Sequence, residues 1–153
     1  MSVRPATTAD VETMAALRRA WIEEEAGPID DPAFEPAFAD WYAAEDDHRL
    51  AWIGFVDDTP AGMLNLLEYR RMPRPGRLDS RWGYVSNVFV LGQHRNRGLG
   101  RELLDAALTL ARRRRYARLV LSPSDRARRL YERAGFARAD QLMLLPMDDP
   151  PPG

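Results

Sequence analysis

Two glycines among arginines mark the segment of this 153-residue chain with the clearest chemistry. Residues 95–101 read R-N-R-G-L-G-R and follow a Val- and aromatic-rich stretch, residues 84–91, that favours a strand. From Gly100 onward the apolar residues recur at the period of a helix face. The first backbone N–H groups of a helix lack intrahelical partners, and glycine lets a phosphate approach them closely. The pattern therefore predicts a phosphate-binding turn between a strand and a helix.

Other interpretations of this turn can be weighed from the sequence. A plain helix start with flexible glycines and solvated arginines would have the same composition, and that alternative stays open. Two common phosphate loops are excluded: the chain has no lysine for a G-x-x-x-x-G-K-[ST] loop, and Leu103 stands where G-x-G-x-x-G needs its third glycine.

A second segment, residues 124–136, reads S-D-R-A-R-R-L-Y-E-R-A-G-F. Together the two segments resemble the signatures of the GNAT superfamily of acetyl-CoA-dependent N-acetyltransferases, the [Q/R]-x-x-G-x-[G/A] turn and the N-x-x-A-x-x-L-Y-x-x-x-G-F helix. They also stand at the family's spacing. The resemblance is strong over residues 83–147 and loose before them.

The resemblance implies that acetyl-CoA is the co-substrate. The turn would hold its pyrophosphate, and the preceding strand would pair with the pantetheine arm through its backbone. Ser124 stands where the family has an asparagine that contacts the pantetheine, and a helix N-cap is an equally open role for it. The implied cofactor-binding residues are Val88, Phe89, Val90, Arg95, Asn96, Arg97, Gly98, Leu99, Gly100, Arg101 and Ser124.

Tyr131 occupies the motif position of the family's general acid. A phenol of pKa ~10 can protonate a departing thiolate whose thiol pKa is ~8.5. The alternative is a core tyrosine on the buried face of its helix. The resemblance further implies that the backbone N–H of Val88 or Val90 donates to the thioester oxygen.

The general base is marked less clearly. Many family members carry a glutamate at the position that aligns with Ser86, and neither Ser86 nor Asn87 can act as that base. Both could hold a water that passes the proton to a carboxylate. Glu68 is the candidate, ahead of Glu24 and Glu25, and an exposed strand-end charge is the alternative for it. Because the chain has no cysteine, we expect direct transfer without a covalent intermediate.

Composition restricts the protein class. A hydrophobic content of 45% and a charged content of 29% are typical of a soluble globular protein, and we expect a cytoplasmic location with no membrane association. The two histidines, His48 and His94, are far apart in sequence, so we expect no metal site.

Charge is distributed unevenly along the chain. Residues 1–68 hold 4 Arg against 15 Asp plus Glu, whereas residues 69–153 hold 18 Arg against 8 Asp plus Glu. This distribution indicates a basic half for a polyanion such as CoA and an acidic half for a cation such as an amine; differently charged solvated faces are the alternative. The short arginine run at residues 112–115 ends a predicted helix, so we expect no nucleic-acid binding.

The element pattern predicts a mixed α/β fold in a single domain over residues 1–147, with a disordered tail at residues 148–153. We expect strands at residues 3–6, 48–56, 61–69, 82–91, 119–122 and 137–147, and helices at residues 8–25, 32–46, 101–115 and from 124. The inward stripe of the first helix is expected to be Val11, Met14, Leu17 and Trp21, and Gly135 is expected to end the last helix in a left-handed conformation. The aromatic stripe of the second helix predicts core packing or a wall of the acceptor pocket. The resemblance implies a mostly antiparallel sheet of about 6–7 strands with splayed central strands, flanked by about 4 helices.

These observations lead to one functional expectation and two alternatives. We expect an N-acetyltransferase that transfers the acetyl group of acetyl-CoA to a primary amine of a small molecule. A protein N-terminus or lysine is the alternative acceptor, and a non-catalytic acyl-CoA-binding regulatory module is the alternative function. The resemblance also allows a homodimer, although no residue pattern singles out an interface.

Overall fold

The computed structural model describes residues 1–147 and divides the chain into two compact units, residues 1–122 and residues from 123 onward. The first unit contains a five-stranded sheet in the order β1-β2-β3-β4-β5. Its strands are β1 (Ser2–Pro5), β2 (Arg49–Val56), β3 (Thr59–Arg70), β4 (Arg81–Val90) and β5 (Leu119–Val120). Neighbouring strands are antiparallel except β4 and β5, which are parallel.

Helices α1 (Val11–Ala26) and α2 (Phe34–Ala44) precede β2 in the chain, and α1 packs on one face of the sheet. The core on this face includes Met14 and Leu17 of α1 together with Ile53, Met63 and Phe89 of the strands. Each side chain of this size contributes about 1.5–3 kcal/mol when fully buried. The predicted inward stripe of α1 is therefore the element that anchors this helix to the sheet.

The start of α1 is fixed by a polar cluster around Asp10. The Asp10 carboxylate accepts two hydrogen bonds from the Arg4 guanidinium, at 2.7 and 2.8 Å, and one from the Thr7 backbone N–H at 2.7 Å. Thr7 in turn accepts from the Ala9 N–H, which completes a capping box on the 3₁₀ turn (Thr8–Asp10) that leads directly into α1. The hydrogen bonds from Arg4, followed by those from Thr7, hold the pKa of Asp10 well below its usual range.

Helix α3 (Leu99–Arg113) packs against β1–β4 and buries its apolar stripe there. The buried residues of α3 are Leu99, Leu103, Leu104, Ala107, Leu108 and Ala111. Two strand glycines permit the close approach: a Cβ on Gly54 would lie 2.6 Å from Leu99, and one on Gly62 would lie 3.3 Å from Leu103 and 2.7 Å from a backbone oxygen. The helix begins two residues earlier than the sequence pattern predicts.

Strands β4 and β5 separate along their length. β5 pairs with β4 only at Gly83 and Tyr84, and no described strand pairs with that edge of β4 over residues 85–90. β4 also contains a bulge, because two of its residues, Asn87 and Val88, stand opposite the single residue Leu64 of β3. Asn87 has φ +50°, a left-handed conformation that asparagine tolerates better than most residues. The exposed β4 edge is the splayed arrangement that the family resemblance implies.

The second unit contains α4 (Arg128–Arg133). Its end matches the sequence prediction, because Gly135 has φ +100° and the Phe136 N–H donates to the Tyr131 carbonyl. The predicted N-cap is displaced: Ser124 accepts from the Ala127 N–H in a turn that precedes the helix, which begins only at Arg128.

The predicted last strand, residues 137–147, is wrong. No described residue after β5 belongs to a strand, so the described sheet has five strands and not six or seven. The apolar run at residues 142–145 suggested a strand, but a strand also requires a neighbouring strand for its backbone groups. None of the described strands pairs with this segment, and the Leu142 N–H donates instead to the nearby Ala139 carbonyl. The predicted tail at residues 148–153 lies outside the described residues.

Candidate active site

The turn between β4 and α3 presents unpaired backbone donors. A single 3₁₀ turn (Gly92–His94) leads to Gly98, whose φ of +96° is a conformation that favours glycine. The Gly98 carbonyl accepts from the N–H groups of Arg101 and Glu102, which starts the helix. Within residues 1–147, the N–H groups of Gly98, Leu99 and Gly100 have no acceptor. Consecutive free N–H groups at a helix N-terminus can bind an anion.

The three arginines of the turn are placed differently. Arg95 donates to the Val90 carbonyl at 2.9 Å and forms an ion pair with Glu24 of α1 at 2.6 Å, so it ties the turn to α1 and β4. Arg101 forms an ion pair with Asp105 at 2.9 Å on the surface of α3. Arg97 is exposed, and its side chain has no hydrogen bond or ion pair with another described residue. Among the three, Arg97 is the most readily available to an incoming phosphate.

A cavity of about 230 Å³ lies between the α1–α2 pair and strands β3 and β4. Met14 and Arg18 of α1 and Met63 of β3 contribute to its lining. The α2 aromatics Phe34, Phe38 and Trp41 form a wall of it. None of the residues of α2 is fully buried, so the aromatic stripe is not simply core: it packs on its inner side and lines the cavity as well.

Polar groups lie at the strand side of this cavity. Asn65 of β3 and Asn87 at the β4 bulge line it, and Ser86 stands opposite Asn65 in the strand register. Asn65 Oδ1 and Ser86 Oγ are buried and accept or donate no hydrogen bond among the described residues. Because a buried polar atom without a partner is costly, these two atoms are candidates to bind a ligand or a water. They lie next to Val88 in β4, where the cofactor edge is expected.

A stack of side chains connects the cavity with the phosphate turn. Arg18 lies over the Trp21 ring at 5.0 Å, Trp21 stacks on Phe89 at 5.5 Å and 5°, and Arg95 lies 5.7 Å from the Phe89 centroid. Cation–π contacts of this kind contribute about 0.5–2 kcal/mol each. The stack fixes the orientation of Arg18 and Arg95 relative to β4.

Glu68, the candidate base, is surrounded by donors. Its carboxylate accepts hydrogen bonds from Arg81 at 3.1 Å, from Arg114 at 2.7 Å and from the Tyr116 hydroxyl. Burial raises the pKa of this carboxyl, but the hydrogen bonds from Tyr116 and Arg114 outweigh it, so that the net pKa is lowered. Glu68 stands opposite Gly83, three positions along β4 from Ser86. Its contacts favour a structural role, and its role as general base stays a prediction.

We expect Glu68→Gln to lower the free energy of unfolding and to have less effect on turnover. The substitution removes a charge that accepts three hydrogen bonds, so the free energy of unfolding should fall by about 1–3 kcal/mol. Because the folded-state pKa of Glu68 lies below the unfolded value, this stabilisation is present above pH ~4.3 and is lost as the pH falls through the folded-state pKa. Urea denaturation of both proteins at pH 7 and pH 3 measures the difference. A loss of turnover with unchanged stability would instead support the base.

The second unit holds Tyr131 and Ser124. Tyr131 is buried in α4, with its ring edge-on to Phe136 at a centroid distance of 5.9 Å. Ser124 uses its hydroxyl and its carbonyl to hold the turn before α4, at 3.3 and 3.1 Å from the Ala127 nitrogen. Their roles as general acid and pantetheine contact stay predictions.

Two residues of the cavity were missed from the sequence. Arg18 follows Met14 by four positions and precedes Trp21 by three, so it shares the inward stripe of α1. Asn65 interrupts the apolar run A-G-M-L-N-L-L of β3. A polar residue on a predicted buried face was the available signal for both. Among residues 1–147 there is no cluster of His, Cys, Asp or Glu that could hold a metal, and no helix in that range is long and apolar enough to cross a membrane.

Comparisons with solved structures show the same fold. A GCN5-related N-acetyltransferase from Ralstonia eutropha JMP134 is 26% identical with a TM-score of 0.74, covering 97% of this chain and 99% of that one. A predicted acetyltransferase from Clostridium acetobutylicum, solved with acetyl-CoA, is 18% identical with a TM-score of 0.75 and 95% coverage of both chains. A ribosomal-protein-alanine N-acetyltransferase from Brucella melitensis biovar Abortus 2308 is 21% identical with a TM-score of 0.74, covering 96% and 99%.

At the level of sequence, no curated protein matches the chain. The model of the acetyltransferase (GNAT) family matches residues 14–136, which include the turn at Gly98, the cavity on α1 and the Tyr131 motif. The chain therefore belongs to the acetyltransferase (GNAT) family.

Proposed function

We propose that this protein is an acetyl-CoA-dependent N-acetyltransferase whose acceptor is a primary amine of a small molecule. The observation that carries the proposal is the cavity of about 230 Å³ beside the β4 bulge, next to the strand edge that the family uses for its cofactor. Its volume suits a small acceptor, since sites for drug-sized ligands are usually larger. Acetyl-CoA use and the N-acetyl linkage are inferred from the family and from this geometry.

The proposed cofactor site follows the exposed edge of β4 to the α3 N-terminus. The pyrophosphate would lie on the free N–H groups of Gly98, Leu99 and Gly100, with Arg97 beside it. The pantetheine would pair with the backbone of residues 88–90, which no described strand covers on that side. The thioester carbonyl would then lie near the bulge, where a backbone N–H can stabilise the developing oxyanion.

In the proposed reaction the amine nitrogen attacks the acetyl carbonyl carbon. A C–N bond forms, the C–S bond of the thioester breaks, the nitrogen loses a proton, and the CoA thiolate takes up a proton. We propose Tyr131 as the donor of the latter proton. Asn65 Oδ1 and Ser86 Oγ are suited to accept hydrogen bonds from the amine or from a water that carries its proton away.

The lining of the cavity includes no carboxylate. Its ionisable group is Arg18, whose positive charge disfavours the ammonium form of a nearby amine. Glu68, the base predicted from the sequence, does not line the cavity either. We therefore propose, in place of Glu68 as general base, that the neutral amine is the species that reacts and that its proton is lost to solvent.

This proposal predicts that the pH dependence of kcat/KM is set by the pKa of the acceptor amine. We expect log kcat/KM to rise with unit slope as the pH increases and to level off near the pKa of each free amine. Two acceptors whose amine pKa values differ should reach their plateaus at correspondingly different pH values. Steady-state thiol release at saturating acetyl-CoA measures both profiles. A rise near pH 6 shared by every acceptor would instead indicate a protein base.

The direct test measures acetyl-CoA binding and then acetyl transfer to a panel of amines. Calorimetry measures acetyl-CoA binding, and free-thiol release is then followed over a panel of small amines, lysine peptides and peptides with free N-termini. Binding with release for small amines supports the proposal. Release only with peptides would assign a protein acceptor, the activity that the name of the Brucella relative states for that protein. Binding without release from any acceptor would indicate a regulatory module and overturn the proposal.

A further inference from the structure

Arg18 faces the cavity without a protein counter-ion. It is the one ionisable side chain among the residues that line the cavity. Across residues 1–147 its guanidinium forms no hydrogen bond or ion pair, and its contact is the face of Trp21 at 5.0 Å. Burial lowers its pKa, with the charge of Glu25 opposing the shift, but a guanidinium remains positively charged at neutral pH.

The surroundings of Arg18 make an unpaired charge costly. Met14, Phe34, Phe38, Trp41 and Met63 present mainly apolar surface to the same cavity. A partly buried cation among apolar groups loses hydration that only a bound anion can replace with strong hydrogen bonds. Because Trp21 holds the guanidinium plane, its donors are oriented before a ligand arrives, which lowers the entropic cost of binding.

The strand side of the cavity offers an acceptor for an amine. Asn65 lines the cavity, and its Oδ1 is buried and lacks a partner among the described residues. Ser86, which stands opposite Asn65 in β4 but does not line the cavity, has a second buried oxygen without such a partner. A small molecule in this cavity can thus place an N–H at the strand side and an anion at α1. The aromatic wall of α2 in the same cavity favours an apolar group on the ligand.

We propose that the acceptor is an amino carboxylate with an apolar or aromatic side chain, bound by its carboxylate to Arg18 and by its amine at Asn65. This inference rests on the proposed N-acetyltransferase function and names its substrate class. It departs from the expectation that acidic residues of the first half receive a cation such as an amine, because none of the cavity-lining residues is acidic.

The test uses acceptors that differ only in the carboxylate. Phenylalanine, phenylalaninamide and phenethylamine form one series, and leucine, leucinamide and isoamylamine form another. Thiol release from acetyl-CoA gives kcat/KM for each compound, calculated on the concentration of neutral amine. We expect the amino acids to exceed the amides and simple amines by about 10- to 100-fold, the size of a lost charge-assisted hydrogen bond.

Variants assign that preference to the guanidinium. In Arg18→Met the ratio between amino acid and simple amine should collapse towards one, and Arg18→Lys should restore part of it by keeping the charge without the planar donor geometry. Arg118→Met is the matched control, because Arg118 also lies 5.0 Å over a tryptophan ring, Trp82, but does not line the cavity. Circular dichroism confirms that each variant is folded. A preserved ratio in folded Arg18→Met, or an equal loss in the control, overturns the inference.

A binding measurement separates this inference from the proposed function. Calorimetry of N-acetylphenylalanine with the protein–CoA complex reports on the carboxylate site without turnover. If N-acetylphenylalanine binds, if this binding is lost in Arg18→Met, and if no amine gives thiol release, the carboxylate site is supported and the proposed acetyltransferase function is rejected. If amines with and without a carboxylate are acetylated equally well, the acetyltransferase function is supported and the carboxylate site is rejected. Absence of both binding and turnover would reject both.

Discussion

Replacing Gly98 by aspartate is expected to weaken acetyl-CoA binding by at least about 100-fold. The side chain would start next to the free N–H groups of Leu99 and Gly100, where the proposed pyrophosphate lies. A carboxylate about 4 Å from a phosphate charge costs about 4 kcal/mol at the effective dielectric constant of about 20 that is typical near a protein surface. Steric conflict is not the reason, because the nearest atom to an added Cβ is Met1 Cε at 3.8 Å. Calorimetry with acetyl-CoA measures the change.

Gly98→Asn separates charge from backbone strain. Asparagine has nearly the same shape as aspartate and tolerates the left-handed region, so both variants incur a similar conformational cost at φ +96°. We expect the asparagine variant to lose at most about 10-fold in affinity, a difference from aspartate that high salt should reduce. Equal losses in the two variants would show that strain alone disrupts the turn. Unchanged affinity in the aspartate variant would place the pyrophosphate elsewhere.

Local chemistry explains which parts of the fold could be predicted. The strand before Gly98, the glycine turn itself and the period of α3 each depend on a few neighbouring residues, and all were predicted. Likewise, the Gly135 helix end depends on one residue without a Cβ. The family of the chain followed from these same local features, because the two motifs lie at such structural signals.

Non-local pairing explains what could not be predicted. The apolar run at residues 142–145 looks like a strand in sequence, but strand formation depends on a hydrogen-bonding neighbour that a local pattern does not reveal. The β4 bulge at Asn87 arises from the register against β3. The same holds for Glu68, whose ring of donors comes from β4, from the residue after α3 and from Tyr116. Each of these features combines segments that are distant in sequence.

The cavity shows that the net charge of a chain segment does not predict the charge of the ligand that binds there. The excess of acidic residues in the first half of the chain suggested a site for a cation. The charged side chain from this half that lines the cavity is nevertheless that of Arg18. Many of the acidic side chains are exposed or paired, as Glu23 and Glu35 are with Arg19. Net charge describes the long-range field around a protein, whereas ligand preference depends on the few groups that lose water in the site.

Replacing Tyr131 by phenylalanine is expected to lower kcat by about 100-fold or more while acetyl-CoA affinity is preserved. General acid catalysis contributes typically 10²–10⁴-fold, and the substitution removes the hydroxyl without changing the ring that packs edge-on to Phe136. The KM for acetyl-CoA and its calorimetric Kd should stay within about threefold of the wild-type values, because an interaction made only in the transition state affects kcat and not ground-state binding.

Tyr69→Phe is the matched control for this substitution. Tyr69 is exposed and stacks on Trp82 at 4.6 Å, and its hydroxyl forms no hydrogen bond among the described residues, so loss of that hydroxyl should leave kcat unchanged. A Tyr131→Phe variant with normal kcat would mean that the thiolate departs without this acid and that the motif tyrosine serves packing in its own unit. A variant with equal losses in kcat and in acetyl-CoA affinity would point to a damaged cofactor site. Only a selective loss of kcat, absent from the control, identifies the Tyr131 hydroxyl as the proton donor to the leaving group.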